Sequence, residues 1–141
     1  MKLGQYNKAE EEFNSALKLF EQKDESGVGK YRVQFNKAIN YRNMGKLSDS
    51  IDWFSKVIDD PAYKDKKISP SSAYNLRGLS NFELGQFSEA AKDFKSAIET
   101  TSEEIVPSYY NNRGLANYHQ KFYEEALADF DTAIEMEIDN R

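Results

Sequence analysis

The chain has 141 residues, a net charge of −5 and 30% charged residues, but no cysteine. This length suits one domain and is too short for two ordinary ones. Without cysteine there is no disulfide framework, thiolate metal site or thiol nucleophile. The acidic balance argues against nucleic acid or an anionic membrane as partner, since both call for basic patches. No apolar run approaches the roughly 20 residues that span a bilayer, so an intracellular, cytoplasmic protein is expected.

Helically spaced apolar residues predict seven helices in chain order. Gly45 and Gly85 are expected to form the turns inside two helix pairs, with Lys121 in the equivalent place of a third and Gly4 in that place ahead of the first helix. Pro70 and Pro107 stand where new helices are expected to start, because proline suits the first helical position. The predicted helices cover residues 6–22, 30–44, 48–60, 70–84, 88–101, 107–120 and 123–138.

Four of these segments align with one another on a phenylalanine. The aligned residues are Phe13, Phe54, Phe94 and Phe130, each four residues after a small residue: Ala9, Ser50, Ala90 and Ala126. Each segment that precedes an aligned helix across a turn carries its own small residue: Ala38, Gly78 and Gly114. Two closely packed helices leave room for no more than a methyl group where their backbones approach. The repeated unit is therefore a helix, a tight turn and a second helix.

This pattern resembles the tetratricopeptide repeat (TPR) family, most closely in Tyr74–Glu99 and Tyr109–Glu135, with their Arg-Gly opening and Phe-x-x-Ala-Ile ending. The phenylalanines are 41, 40 and 36 residues apart, against about 34 in the usual repeat. The resemblance implies an all-α, right-handed α-solenoid of stacked antiparallel helix pairs. We expect residues 1–141 to be a single TPR domain from a longer array, with a partial repeat over 1–29 and full repeats over 30–69, 70–105 and 106–141.

No arrangement of side chains in the sequence predicts catalysis, a cofactor or a metal site. His119 is the only histidine, and it stands near a helix end, where a solvated or capping role is common. The segment Gly27–Lys30 lacks the spacing of a phosphate-binding loop and is expected to be a flexible connector. Acidic pairs such as Glu124 and Glu125 open second helices, where they favour the positive end of the helix dipole. We expect no enzyme activity.

The resemblance implies that the first helix of each unit lines a concave face that binds a peptide or helix of a partner protein. The side chains at that face would be an apolar ridge beside amides and two arginines. Phe82 and Tyr118 could instead pack against neighbouring helices. The candidate binding residues are Arg32, Phe35, Asn36, Ile39, Arg42, Asn75, Leu79, Phe82, Asn111, Leu115 and Tyr118.

A protein-interaction scaffold is the leading interpretation of the sequence. The alternatives are an architectural spacer of a larger TPR protein and a module that self-associates weakly through exposed ends. One binding mode of the family, the clamp for the C-terminal carboxylate of Hsp70 or Hsp90, is not expected. Asn112 and Asn36 match asparagines of that clamp, but Asn75, Leu79, Ser72 and Leu76 stand where its other polar residues belong.

Overall fold

The computed structural model describes residues 3–23, 27–61 and 68–140, and the regular structure in those ranges is helical. The chain divides into two compact units, an N-terminal unit up to Ile68 and a C-terminal unit from Ser69, each of which is described by itself. The N-terminal unit contains α1 (Leu3–Lys23), α2 (Val28–Asn43) and α3 (Leu47–Asp59). The C-terminal unit contains α4 (Ser71–Glu83), α5 (Phe87–Thr100), α6 (Pro107–His119) and α7 (Tyr123–Asp139).

The three turns inside helix pairs lie at the predicted residues and share one geometry. Gly45, Gly85 and Lys121 all have left-handed backbone angles, with φ of 77°, 77° and 67°. At the first turn the amide of Lys46 donates to the carbonyl of Tyr41 at 2.9 Å, and the amide of Gly45 donates to that of Arg42 at 3.0 Å. This pair of bonds is the Schellman motif, which ends a helix by satisfying its last carbonyls.

Two glycines expected in turns or loops are helical. Gly4 lies inside α1, because the described chain has no earlier helix against which α1 would have to reverse, and no atom approaches within 4 Å of a Cβ placed there. Gly29 lies in the first turn of α2 rather than in a flexible connector. A Cβ on Gly29 would come 2.3 Å from the Phe20 ring, so the missing side chain allows α1 and α2 to approach.

The core of the N-terminal unit lies between α2 and α3. Phe54 and Ala38 are fully buried, Val57 is nearly so, and Leu17 of α1 adds to them. The ring of Phe54 meets the ring of Phe35 edge-on, with centroids 5.7 Å apart. The small residue at position 38 therefore does what the repeat pattern predicts, since it lets the phenylalanine of the second helix reach the centre.

Glycine fills the same column in the C-terminal unit, where the approach is closer. A Cβ on Gly78 would come 2.7 Å from Cε1 of Phe94, and one on Gly114 would come 2.7 Å from Cε1 of Phe130. Phe94 is fully buried and also packs with Ala90 and Ala116, which belongs to the next repeat. Each aligned phenylalanine thus closes its own helix pair, and Phe94 also joins two repeats.

Candidate protein-binding face

Four apolar side chains of α4 and α6 lie near one another in the C-terminal unit, and we call them the first-helix patch: Leu79, Phe82, Leu115 and Tyr118. Leu79 and Phe82 are half-buried and pack against the core of Ala90, Phe94 and Ala116. Leu115 is 39% exposed and Tyr118 is 54% exposed. A small cleft of about 50 Å³ has Leu79, Phe82 and Leu115 in its lining, together with Phe94 and Asn112.

Aromatic rings extend this patch toward the helix ends. His119 stacks on Phe87 at 4.4 Å with an interplanar angle of 10°, and meets Phe82 edge-on at 5.2 Å. Tyr118 packs edge-on against Tyr123 at 5.5 Å. Because edge-to-face and stacked rings hold one another in place, the exposed ring of Tyr118 is pre-positioned. Phe82 is a packing residue in part, which was one of the two roles open to it from the sequence.

The asparagines of the candidate face have different surroundings. The Asn112 side chain donates from Nδ2 to Oδ1 of Asn75 at 3.0 Å, which links α6 to α4. Asn112 was the residue that matched an asparagine of the carboxylate clamp, and its amide is engaged inside the unit. Asn111, one residue earlier, is exposed and half a turn away from that bond.

The candidate residues of the N-terminal unit lie along α2. Arg32 and Asn36 are exposed, whereas Ile39 and Arg42 are half-buried. Phe35 stacks on Tyr31 at 5.8 Å as well as meeting Phe54, so most of its ring belongs to the core. The accessible groups of α2 are therefore polar and basic, in contrast to the apolar first-helix patch.

A polar network fixes the helices that carry the patch. The guanidinium of Arg77 donates to both carboxylate oxygens of Asp93, at 2.7 Å and 3.0 Å, and Asn81 donates to the same carboxylate at 3.0 Å. One repeat later Arg113 and Asn117 donate to Asp129 in the same way. The hydrogen bond to Asp129 raises the pKa of Arg113 against the lowering effect of burial.

Sequence reasoning missed this network, although a signal for it exists. An arginine precedes Gly78 and Gly114, an asparagine follows each glycine by three residues, and an aspartate precedes Phe94 and Phe130. A bidentate guanidinium–carboxylate pair that is mostly buried is geometrically specific. The two networks orient α4 on α5 and α6 on α7, and so position the first-helix patch.

Within the described ranges no group of three or more histidine or acidic side chains lies close enough together to hold a metal ion. Of the helices in those same residues, none is both long and apolar enough to cross a membrane. The surface that the described residues do offer is an aromatic and aliphatic patch edged by amides. Such a surface is suited to contact with a peptide or a helix.

Two models of the tetratricopeptide repeat match the chain, over residues 75–140 and 1–23. No curated protein has a sequence similar enough to match. The solved structure of BtubC (BKLC) from P. vanneervenii is similar in fold, with a TM-score of 0.82 and 18% identity over 96% of this chain and 57% of its own. The present chain thus spans little more than half of BtubC.

Two further solved structures share the fold. A MamA RS-1 ArsTM double mutant has a TM-score of 0.77 and 19% identity, over 98% of this chain and 69% of that one. The first TPR of Spaghetti (RPAP3), bound to the HSP90 peptide SRMEEVD, has a TM-score of 0.65 and 26% identity, over 77% of this chain and 79% of its own. TPR domains generally mediate protein–protein interactions. The two model matches, the repeated helix pairs and these solenoid structures show that the chain belongs to the tetratricopeptide repeat family.

Proposed function

We propose that this chain is a non-catalytic interaction module that binds a peptide or helix of a partner protein through the exposed side of its first helices. The observation that carries the proposal is the first-helix patch, where Leu115 and Tyr118 are exposed while their neighbours Leu79 and Phe82 are anchored in the core. Anchored aromatic and aliphatic side chains that remain accessible are the usual centre of an interface, because little ordering is needed when the partner binds.

The proposed binding residues divide into two groups by chemistry. In the C-terminal unit they are Leu79, Phe82, Leu115 and Tyr118, with the amides of Asn75 and Asn111 beside them. In the N-terminal unit they are Arg32, Asn36 and Arg42, with Phe35 and Ile39 contributing what their packing leaves accessible. A partner segment with apolar anchors would suit the first group, and one with carboxylates would suit the second.

Affinity capture with matched variants tests the proposal. Leu115→Glu places a charge in the first-helix patch, and Leu19→Glu places the same charge on an exposed leucine of α1. Both variants are expected to keep the helical circular dichroism of the parent chain. We expect a protein captured from lysate of the source organism to be lost with Leu115→Glu and kept with Leu19→Glu. Equal capture by both variants would contradict binding through the patch.

A chaperone carboxylate is not the proposed ligand, although RPAP3 was solved with such a peptide. Asn112 already donates to Asn75, and Leu79 lies beside it in the same small cleft. A carboxylate placed against a leucine without a cationic partner would be costly to bury. We therefore expect SRMEEVD to bind no tighter than about 10 µM. Tighter binding that is lost with Asn112→Ala would overturn this part of the proposal.

The two alternatives make different forecasts in the same experiments. An architectural spacer would capture no protein that depends on Leu115. Self-association would appear as a concentration-dependent dimer in analytical ultracentrifugation. A dimer that Leu115→Glu disperses would mean that the patch binds a second copy instead of another protein.

A further inference from the structure

The outer side of α7 carries an apolar stripe that the described chain leaves exposed. Tyr123, Leu127, Ile134 and Ile138 are 57%, 61%, 54% and 59% exposed. With Phe130 they stand at helical spacings of three and four residues, so they lie along one face. The same helix keeps Ala126 and Ala133 buried against α6. The stripe is therefore an additional face of α7, next to the one that closes its own helix pair.

The previous repeat shows what these positions contact when they are covered. Ala91 and Ile98 of α5 stand 36 residues before Leu127 and Ile134, which is the spacing of Phe94 and Phe130. Ala91 packs against the core that includes Ala116 of α6. Ile98 packs against the core of Val106 and Tyr109, at the beginning of α6. In this chain, the columns that form the α7 stripe are thus the columns that receive another helix.

A cleft beside the stripe has room for a large side chain. It measures about 530 Å³ and is lined by Pro107, Ser108, Asn111, Phe130, Ala133, Ile134 and Glu137. One repeat earlier, the place equivalent to Ala133 is Ala97, which Tyr109 covers. There the place equivalent to Asn111 is Asn75, which accepts a hydrogen bond from Asn112. An aromatic side chain and an amide donor would fill the cleft in the same manner.

Charge distinguishes α7 from the other second helices. Its sequence YEEALADFDTAIEMEID has seven carboxylates and no basic residue. The helix α5, in contrast, alternates Glu89, Asp93 and Glu99 with Lys92 and Lys95. Asp129 is held by Arg113, but Glu124, Asp131 and Glu135 are exposed. Their spacing of seven and four residues places these three on one line beside the apolar stripe.

We propose that the outer side of α7 binds a cationic amphipathic helix of a partner protein. The apolar side chains of that helix would cover Leu127, Ile134 and Ile138, with one aromatic side chain in the cleft. Its lysines or arginines would face the line of Glu124, Asp131 and Glu135. The complementary charges give orientation and speed of association, and the apolar contact gives most of the affinity. A second copy packed α7 against α7 would bring two acidic lines together, so the charges disfavour it.

Two designed helical peptides of about 18 residues test the proposal directly. Both carry the same leucine stripe with one tryptophan, and they differ only in lysine or glutamate on the flanks. We expect the lysine peptide to bind the parent chain in isothermal titration, and more weakly at about 0.5 M salt than at about 0.05 M, because exposed charges are screened. The glutamate peptide is expected not to bind. Binding of both peptides alike would contradict the assignment of charge.

Matched variants separate the α7 face from a general attraction to an acidic protein. Asp131→Lys with Glu135→Lys, and separately Leu127→Ser with Ile134→Ser, are each expected to weaken the lysine peptide by about tenfold or more. The control, Glu103→Lys with Glu104→Lys, makes the same change of charge in the exposed connection between α5 and α6. It is expected to change binding by less than about twofold. An equal loss in the control would overturn the proposal.

The proposal stands apart from the proposed function of the first-helix patch. Leu115→Glu is expected to leave the lysine peptide's binding unchanged, because Leu115 lies outside the α7 stripe and its cleft. A loss of peptide binding in Leu115→Glu, with no loss in the α7 variants, would assign the peptide to the patch and overturn the α7 site. A dimer of the free chain that Leu127→Ser with Ile134→Ser disperses would assign the stripe to a second copy and overturn it as well.

Discussion

The two units close the same kind of helix pair with different chemistry. In the C-terminal unit a guanidinium–carboxylate–amide network joins the two helices of each pair, through Arg77, Asp93 and Asn81 and their counterparts one repeat later. In the N-terminal unit the equivalent positions are Lys37, Trp53 and Tyr41. All three columns differ together. The network is therefore exchanged as a set, which is expected when leaving one member without its partners would be costly.

The replacement set binds in a different direction. The ammonium of Lys37 lies 4.2 Å from the centre of the Trp53 ring, and that of Lys56 lies 4.1 Å from it. Lys37 also donates to Asn14 of α1, and the Tyr41 hydroxyl donates to Glu10 of α1. The N-terminal unit thus uses these columns to hold the neighbouring α1, whereas the C-terminal unit uses them inside the helix pair. Similar backbones can share one core and differ in which helices their polar groups join.

The largest expected effect tests what the two units share. Phe54→Ala and Phe94→Ala each remove a fully buried ring, and each is expected to lower the free energy of unfolding by about 3–5 kcal/mol. Urea denaturation followed by circular dichroism measures this. If one variant lost less than about 1 kcal/mol, the two phenylalanines would not have the same role.

The next effect tests what the units do not share. Asp93→Ala leaves Arg77 and Asn81 without their acceptor in a site where the carboxylate is buried, so we expect a loss of about 2–4 kcal/mol. Trp53→Leu keeps an apolar side chain at the equivalent position and loses the contact with two ammonium groups, for which about 1 kcal/mol is expected.

A double-mutant cycle sharpens this contrast. Arg77→Ala combined with Asp93→Ala should be much less harmful than the sum of the two, since the second change removes a partner that was already lost. The corresponding cycle of Lys37→Ala with Trp53→Leu should be closer to additive, because Lys37 also donates to Asn14. Strict additivity at Arg77 and Asp93 would contradict a coupled network.

Alkaline pH is expected to act on the N-terminal unit through Tyr41. Burial, followed by the bond to Glu10, raises the pKa of Tyr41 to about 12. Because the folded pKa lies above the usual 10, the contribution of Tyr41 to stability is complete below pH 10 and is lost as the pH rises toward 12. Burial lowers the pKa of Lys37, which works in the opposite sense, since its penalty disappears as the ammonium loses its proton.

Comparison with Tyr41→Phe isolates this contribution from the other tyrosines. The parent chain should lose about 1 kcal/mol more than Tyr41→Phe between pH 9.5 and 11.5, a figure reduced because the hydroxyl is partly exposed. The measurement is urea denaturation of both proteins at the two pH values. Identical pH dependence would show that the Tyr41 hydroxyl is not held by Glu10.

The smallest expected effect concerns the third turn. Lys121 adopts the left-handed conformation in which Gly45 and Gly85 stand. Lys121→Gly removes the steric cost of a side chain there and is expected to raise the free energy of unfolding by about 0.5–1 kcal/mol. Gly85→Ala is the matched reverse change and is expected to lower it by about 1 kcal/mol. A destabilising Lys121→Gly would mean that the lysine side chain contributes contacts that outweigh its backbone strain.

The sequence predicted the helices and turns because their signals are local. The period of the apolar residues and the left-handed glycines at 45 and 85 need no knowledge of the neighbouring repeats. The state of Phe82 and Tyr118 does depend on those neighbours. Phe82 meets Phe87 and His119, whereas Tyr118 points past the last ring that could cover it. Gly4 and Gly29 were misassigned because the alignment fixed their columns, while the packing of α1 fixed their conformation.

Site-specific photocrosslinking tests the central claim, binding through the first-helix patch, most directly. A photoreactive phenylalanine in place of Tyr118 would probe the patch, and one in place of Leu19 would probe an equally exposed position on α1. After irradiation in cells, the account predicts that a partner protein is joined to position 118 and not to position 19. A partner joined only to position 19, or equally to both, would contradict it.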